Sequence, residues 1–135
     1  IIQHFNMNIF LDDIRFPNEV AIYTKNRVYG YNWVIVRNYE QFVRTCRDHW
    51  NDIQRISFDH DLGQDEAKEK RKNGMSKRKA RQEKKLSKSG MDCAKWFIDY
   101  IIDHPRFLPV IYIHSQNPVG KENIAALFAS YEKHN

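Results

Sequence analysis

The sequence predicts an α/β fold: a three-layer sandwich on a four-stranded, mostly parallel sheet in the order 2-1-3-4. Three observations carry that expectation. Short apolar runs rich in β-branched and aromatic residues alternate with stretches of helical spacing, the pattern of a parallel sheet covered on both faces. Three of those runs stop at polar clusters: Met7–Leu11 at Asp12 and Asp13, residues 55–58 (RISF) at Asp59, His60 and Asp61, and Val110–Ile113 at His114 and Ser115. In an open parallel sheet the carboxyl ends of neighbouring strands converge on one crevice, where ligands bind.

Each element follows from its residues. MNIFL (7–11) has no helical period and reads as a buried strand. Residues 13–31 hold Pro17, Asn18, Asn26 and Gly30 and read as an irregular loop with a short helix. NWVIV (32–36) is a second strand. Residues 39–50 place apolar side chains at 39, 42, 43, 46 and 50, which is helical spacing. RISF is the third strand. Ser89 and Gly90 open a helix running to His104, with Met91, Ala94, Trp96, Phe97, Ile98, Ile101 and Ile102 on a broad apolar face, and Pro105 ends it. VIYI (110–113) is the fourth strand. Asn117 then reads as an N-cap with Pro118 at the first helical position. Ile124, Leu127, Phe128 and Tyr131 form the stripe of a last helix.

A chain of 135 residues with 41% hydrophobic content supports one core, assigned to a single domain over residues 7–135. Residues 1–6 precede Met7, the expected natural start, and read as a leader or an expression remnant. No apolar stretch approaches the ~20 residues of a membrane helix, so no membrane partner is expected. Cys46 and Cys93 make no disulfide framework and point to a reducing, cytoplasmic compartment. The net charge of +5 is unevenly spread: residues 66–88 carry eleven Lys or Arg against three Glu, so that segment stands at +8 and the rest at −3. The asymmetry marks residues 64–89 as a basic insertion in a mildly acidic domain.

The acids suggest a hard divalent cation, Mg²⁺ or Mn²⁺, which takes oxygen ligands. Asp12, Asp13 and Asp59 meet if the sheet order is 2-1-3-4, and Asp61 is a fourth candidate. Packed together without a cation they repel. The plainer alternative is that Asp12 or Asp13 caps the following segment and Asp61 starts a turn before Gly63.

The arrangement resembles a receiver domain of two-component signalling, with a flavodoxin-like sheet. Asp12 and Asp13 match the acidic pair, Asp59 the acceptor aspartate, and Ser115 the hydroxyl. The wording FLDDIRFP, FDHDLG, a Gly-x-Asp helix start at Gly90, and IHSQNPVG is more closely similar to a small family, the cyclic-phosphate-processing receiver domains. The match runs from Met7 to about Tyr131, interrupted by the basic segment. Signalling receivers carry a Lys-Pro pair after a fifth strand, and here one helix follows the fourth strand. Phosphotransfer from a histidine kinase is therefore not expected. The resemblance implies a substrate with a cyclic phosphate, on an RNA end or a nucleotide.

Opening a 2′,3′-cyclic phosphate needs an activated water and a protonated leaving oxygen. His114 and His60, with Asp59 beside them, are the candidate catalytic residues, because imidazole moves protons near neutral pH. Side chains alternate along a strand, which puts Asp59 and Asp61 on one face and His60 on the other. A histidine bonded to a backbone carbonyl is the alternative for His60. The stretch SQNPVGKEN offers Ser115, Asn117 and Lys121 around a helix N-terminus, an anion site by its free N–H groups and dipole. Capping needs only Asn117 and Pro118, so Ser115 and Gly120 are the surplus that favours phosphate. Arg15 either clamps a phosphate or pairs with Asp12 or Asp13.

Residues 66–88 have almost no apolar side chains and are expected as a solvated hairpin, a helical arm or a disordered loop, divided at Asn73-Gly74. At the rim of the crevice they can draw a nucleic-acid backbone, or they are a solubilising insertion. They hold no aromatic residues to stack on bases. The lead expectation is a metal-assisted phosphoesterase for cyclic phosphates. The alternative is a non-catalytic module binding a cyclic nucleotide, an RNA end or a partner protein.

Overall fold

The computed structural model describes residues 6–62, 73–86 and 88–134. Strands β1 (Met7–Leu11), β2 (Val34–Val36), β3 (Ile53–Phe58) and β4 (Val110–Ile113) form one sheet in the order β2-β1-β3-β4. Every pairing is parallel, so the expected sheet and its order stand. Helix α1 (Pro17–Thr24) and a 3-10 turn (Arg27–Gly30) follow β1. Helix α2 (Tyr39–Asp48) follows β2, and a second 3-10 turn (Trp50–Asp52) leads into β3. Helix α3 (Lys77–Leu86) lies in the basic segment, α4 (Gly90–Asp103) precedes β4, and α5 (Pro118–His134) follows it.

Period two in the strands divides the interior. Ile9, Leu11, Ile56 and Phe58 point to one face and are fully buried against Phe42 and Cys46 of α2, Phe97 and Ile101 of α4, and Ile124 and Phe128 of α5. Phe10 points to the other face and packs with Val20 of α1 and Val28 and Tyr29 of the 3-10 turn. That second layer is thinner and strongly aromatic: Phe10, Tyr29, Trp33 and Tyr112 meet at edge or stacked angles.

Local chemistry sets the helix starts. Asn38 Oδ1 accepts from Gln41 N at 2.9 Å, and Gln41 Oε1 accepts from Arg37 N at 2.8 Å. Ser89 and Asp92 cap α4 reciprocally, Ser89 Oγ accepting from Asp92 N and Asp92 Oδ2 from Ser89 N. Helix α1 is the short helix expected within residues 13–31. Its buried Val20 sits in a consecutive run with Ala21, Ile22 and Tyr23 that has no helical period. Its start is fixed by Pro17 at the first position and Glu19 Oε1 accepting from Phe16 N at 3.2 Å. Strand β2 is shorter than expected and β3 begins two residues earlier. In the basic segment the structure describes a helix and a turn at Gly74 with φ of 97°. The rest of that segment lies outside the described residues, as do residues 1–5 at the start of the chain. Among the described residues no helix is long and apolar enough to cross a membrane.

Candidate functional site

Asp12, Asp59 and His114 are each the first residue past a strand, and the sheet's hydrogen bonding runs on through them. Asp12 N donates to Val36 O at 3.1 Å, Asp59 N to Leu11 O at 3.0 Å, and His114 N to Phe58 O at 3.0 Å. The three follow the aligned residues Leu11, Phe58 and Ile113. Period two carries them to the α1 side, after Phe10, Ser57 and Tyr112. Their ligand atoms lie within 4.8 Å of one another, and all three side chains are buried.

Behind them runs a buried hydrogen-bonded chain. Tyr29 Oη and Ser57 Oγ are 2.7 Å apart, Ser57 Oγ and His114 Nδ1 2.7 Å, and His114 Nε2 and Asp12 Oδ2 3.1 Å. Burial is the largest influence on Asp12 and disfavours its charge. The bonds from His114, Arg15 N and Ile14 N outweigh it, so the carboxyl sits below its ordinary range. Burial pushes His114 down from its ordinary value, against the opposing pull of Asp12. An ionised Asp12 and a neutral imidazole fix the proton order: Nε2–H donates to Asp12, Nδ1 accepts from Ser57, and Ser57 accepts from Tyr29. The ring also stacks on Phe10 at 4.5 Å. His114 therefore holds Asp12 in place, and its enclosed ring does not suit proton exchange with a bound substrate.

Arg15 reaches back over the acids, with Nη1 3.7 Å from Asp12 Oδ2 and 4.0 Å from Asp59 Oδ2. It pairs with Asp12 and Asp59, where the sequence offered Asp12 or Asp13. Asp13 is half-buried and stands outside the group of three. Arg37 fixes the loop by donating to the carbonyls of Asp12 at 3.1 Å and Arg15 at 2.6 Å, and its guanidinium lies over Phe16. Tyr23 donates from its hydroxyl to His114 O at 2.8 Å. Its pKa is pushed up to about 12, chiefly by burial, with Arg15 opposing and Asp12 and Asp59 adding.

His60 goes to the opposite side of the sheet, as alternation predicts. Its ring lies under the first turn of α5, where a Cβ on Gly120 would come within 2.3 Å of its Cγ. Gly90 is excluded from carrying a side chain by the Asp59 carbonyl, 1.7 Å from its ideal Cβ position, and its N–H donates to His60 O at 2.8 Å. Asp61 does not join Asp12 and Asp59. The backbone has left the strand, so period two no longer applies, and Asp61 Oδ1 accepts from Asn117 Nδ2 at 3.3 Å and lies 2.8 Å from His60 Nδ1. Asn117 Oδ1 caps Gly120 N at 3.0 Å, and Ser115 Oγ accepts from Asn117 N at 3.1 Å. The features read as surplus for phosphate thus have structural work: Gly120 makes room for His60, and Ser115 and Asn117 satisfy the helix start. Lys121 lines a cavity with Tyr23 and Tyr112, outside the group of three.

Sequence reasoning missed Tyr23, Tyr29, Ser57 and Arg37. Ser57 alone carried a signal, as a hydroxyl at an inward position of an apolar strand. The donor set fits a divalent ion: the carboxylates of Asp12 and Asp59 suit Mg²⁺ or Mn²⁺, while both ring nitrogens of His114 are taken by Asp12 and Ser57. A family model described as "Cyclic-phosphate processing Receiver domain" matches residues 7–130. No curated protein and no solved structure matches the chain.

Proposed function

The chain belongs to the cyclic-phosphate-processing receiver domains, and from that premise we propose that it is a divalent-ion-assisted phosphoesterase opening the cyclic phosphate of an RNA end or a nucleotide. The observation that carries the reading is the convergence of buried Asp12 and Asp59 in register on one face of the sheet. Asp12 and Asp59, with Asp13 beside them, hold Mg²⁺ or Mn²⁺. When bound, the ion supplies positive charge to the phosphoryl oxygens as the reaction develops. Arg15 turns from the carboxylates to a phosphoryl oxygen. Water adds to phosphorus, one ribose oxygen leaves, and that oxygen takes a proton, giving a phosphomonoester. Water supplies that proton, because the His114 ring is enclosed and His60 packs under α5 on the opposite side of the sheet. The basic segment, with α3, draws the nucleic-acid backbone. Two free thiols, Cys46 and Cys93, support a reducing compartment such as the cytoplasm.

The test is Asp59→Asn, followed by Mn²⁺ binding and by phosphorus NMR of 2′,3′-cyclic nucleotides. Loss of both ion binding and phosphomonoester product is expected. Retention of full binding and full turnover would overturn the proposal. One observation favours a second reading, a module that binds without cutting: Arg15 already pairs with both acids, and His114 is enclosed. Tight binding of the cyclic nucleotide by the wild-type chain, with no product, selects it.

A further inference from the structure

The acids leave unexplained a cavity of about 390 Å³ at their side, within the range of small-molecule sites. Its walls include Tyr23 at the end of α1, Asn26 and Tyr29 of the 3-10 turn, Tyr112 of β4, and Gln116 and Lys121 at the start of α5. Strand β4 is the last in the sheet, so Tyr112 stands at its edge.

We propose that this cavity is a nucleobase subsite, receiving the base of a nucleoside whose cyclic phosphate lies at Asp12 and Asp59. It rests on the phosphate reading above and adds a binding place for the base. Continuity is the first argument. His114 lines the cavity and its Nε2 lies 3.1 Å from Asp12, while Tyr23 faces the cavity and bonds the His114 carbonyl at 2.8 Å. The cavity thus lies one residue, His114, from the acid group.

The chemistry of the wall is the second argument. Aromatic rings stack on bases, and carboxamides present a donor and an acceptor to a base edge. Tyr23 and Tyr112 supply rings, the Gln116 carboxamide supplies a donor and an acceptor, the Asn26 amide N–H a further donor, and Lys121 a positive charge. No carboxylate is among the described lining residues, so nothing there repels an anionic ligand. Rigidity is the third. Tyr112 meets the core residue Tyr29 edge-on at 6.4 Å, and Tyr29 is pinned by Ser57 at 2.7 Å, so the Tyr112 ring is ordered before a base arrives.

Uridine and adenosine, both without phosphate, are titrated into the full chain and followed by backbone amide NMR. Shifts are expected at Tyr112 to Gln116 and at Asn26. Tyr112→Ala weakens this binding by about tenfold or more, the usual size of a lost stacking contact. Gln116→Ala, an exposed position whose loss leaves the core intact, weakens it by about fivefold. Nucleosides that shift none of these amides overturn the subsite, and so does a folded Gln116→Ala chain with wild-type affinity. A parallel arm uses glycerol 1,2-cyclic phosphate, which has no base. If that ester is opened while nucleosides shift nothing, the phosphoesterase reading stands and the subsite falls. If nucleosides bind there while no cyclic phosphate is bound or opened, the subsite stands and the phosphoesterase reading falls.

Discussion

A single imidazole decides how the acids behave. His114 is the only titratable base in the buried chain, and its neutral form alone lets Nδ1 accept from Ser57 while Nε2–H donates to Asp12. Its pKa is lowered in the folded state, so between 6.5 and that lower value the unfolded chain binds a proton that the native chain does not. The stability it contributes is therefore full above pH 6.5 and declines as the pH falls below it. Asp12, also lowered, adds a second decline that begins only near its ordinary value of 3.8. Urea melts between pH 8 and 5 are expected to show stability dropping below pH 6.5. His114→Gln keeps an amide donor towards Asp12 and removes the titration. It costs about 1–3 kcal/mol at pH 7.5 for the Ser57 hydroxyl left without its acceptor, and it flattens the slope. A wild-type chain equally stable at pH 7.5 and 5.5 would show that His114 does not carry the effect.

At the scale of elements, two helix starts are built around one strand end. Helix α4 abuts the backbone at Asp59 and His60 through Gly90, and α5 abuts the His60 ring through Gly120. Gly120→Ala drives a methyl into the ring near its root, where a rotamer change gives little relief. A loss of about 1–3 kcal/mol is expected, as for overpacking in a filled interior. His60→Ala removes the obstacle, so in the double variant the cost of Gly120→Ala should largely disappear. Thermal melts of the four proteins read the coupling, and additive losses would mean that the ring is not what Gly120 avoids. The same elements explain what the sequence made legible. Asp12, Asp59 and His114 could be placed together because strands have a fixed period and parallel sheets align their ends. Asp61 could not, because the backbone leaves the sheet after His60 and the period ends there. Ser57 pairs with a histidine 57 residues away and Tyr23 with a carbonyl 91 residues away, distances at which no local pattern gives warning. The short helix expected within residues 13–31 had no legible bounds, because the consecutive apolar residues of α1 give no helical period. The reason for Gly120 lay on another element altogether.

On the scale of the whole molecule, the charge is divided between a −3 domain and a +8 segment. Where that segment joins the fold decides what it can do. Gly90 N donates to His60 O at 2.8 Å, so the chain departs from and returns to nearly one point, beside Asp59. A loop closed that tightly can be exchanged for a short one with little disturbance to the sheet, since loop length changes closure entropy slowly. Lys88, whose ammonium lies 4.8 Å from the Tyr39 ring centroid, belongs to the fold and is kept. A chain with residues 64–87 replaced by a short Gly-Ser linker is expected to melt within about 4 °C of the wild type, the shift that ~1 kcal/mol makes in a domain of this size. Affinity for single-stranded RNA should change differently. Each phosphate neutralised adds about −0.7 to the slope of log K against log salt, so losing the eleven-cation segment except Lys88 should flatten that slope by several units. Binding of a mononucleotide, which the crevice alone serves, should be nearly unaffected. Fluorescence anisotropy of a labelled RNA from 50 to 300 mM salt, beside a mononucleotide titration, separates the two. An unchanged RNA slope in the shortened chain would reduce the segment to a solubilising insertion. A parallel loss of mononucleotide binding would instead place part of the segment inside the site.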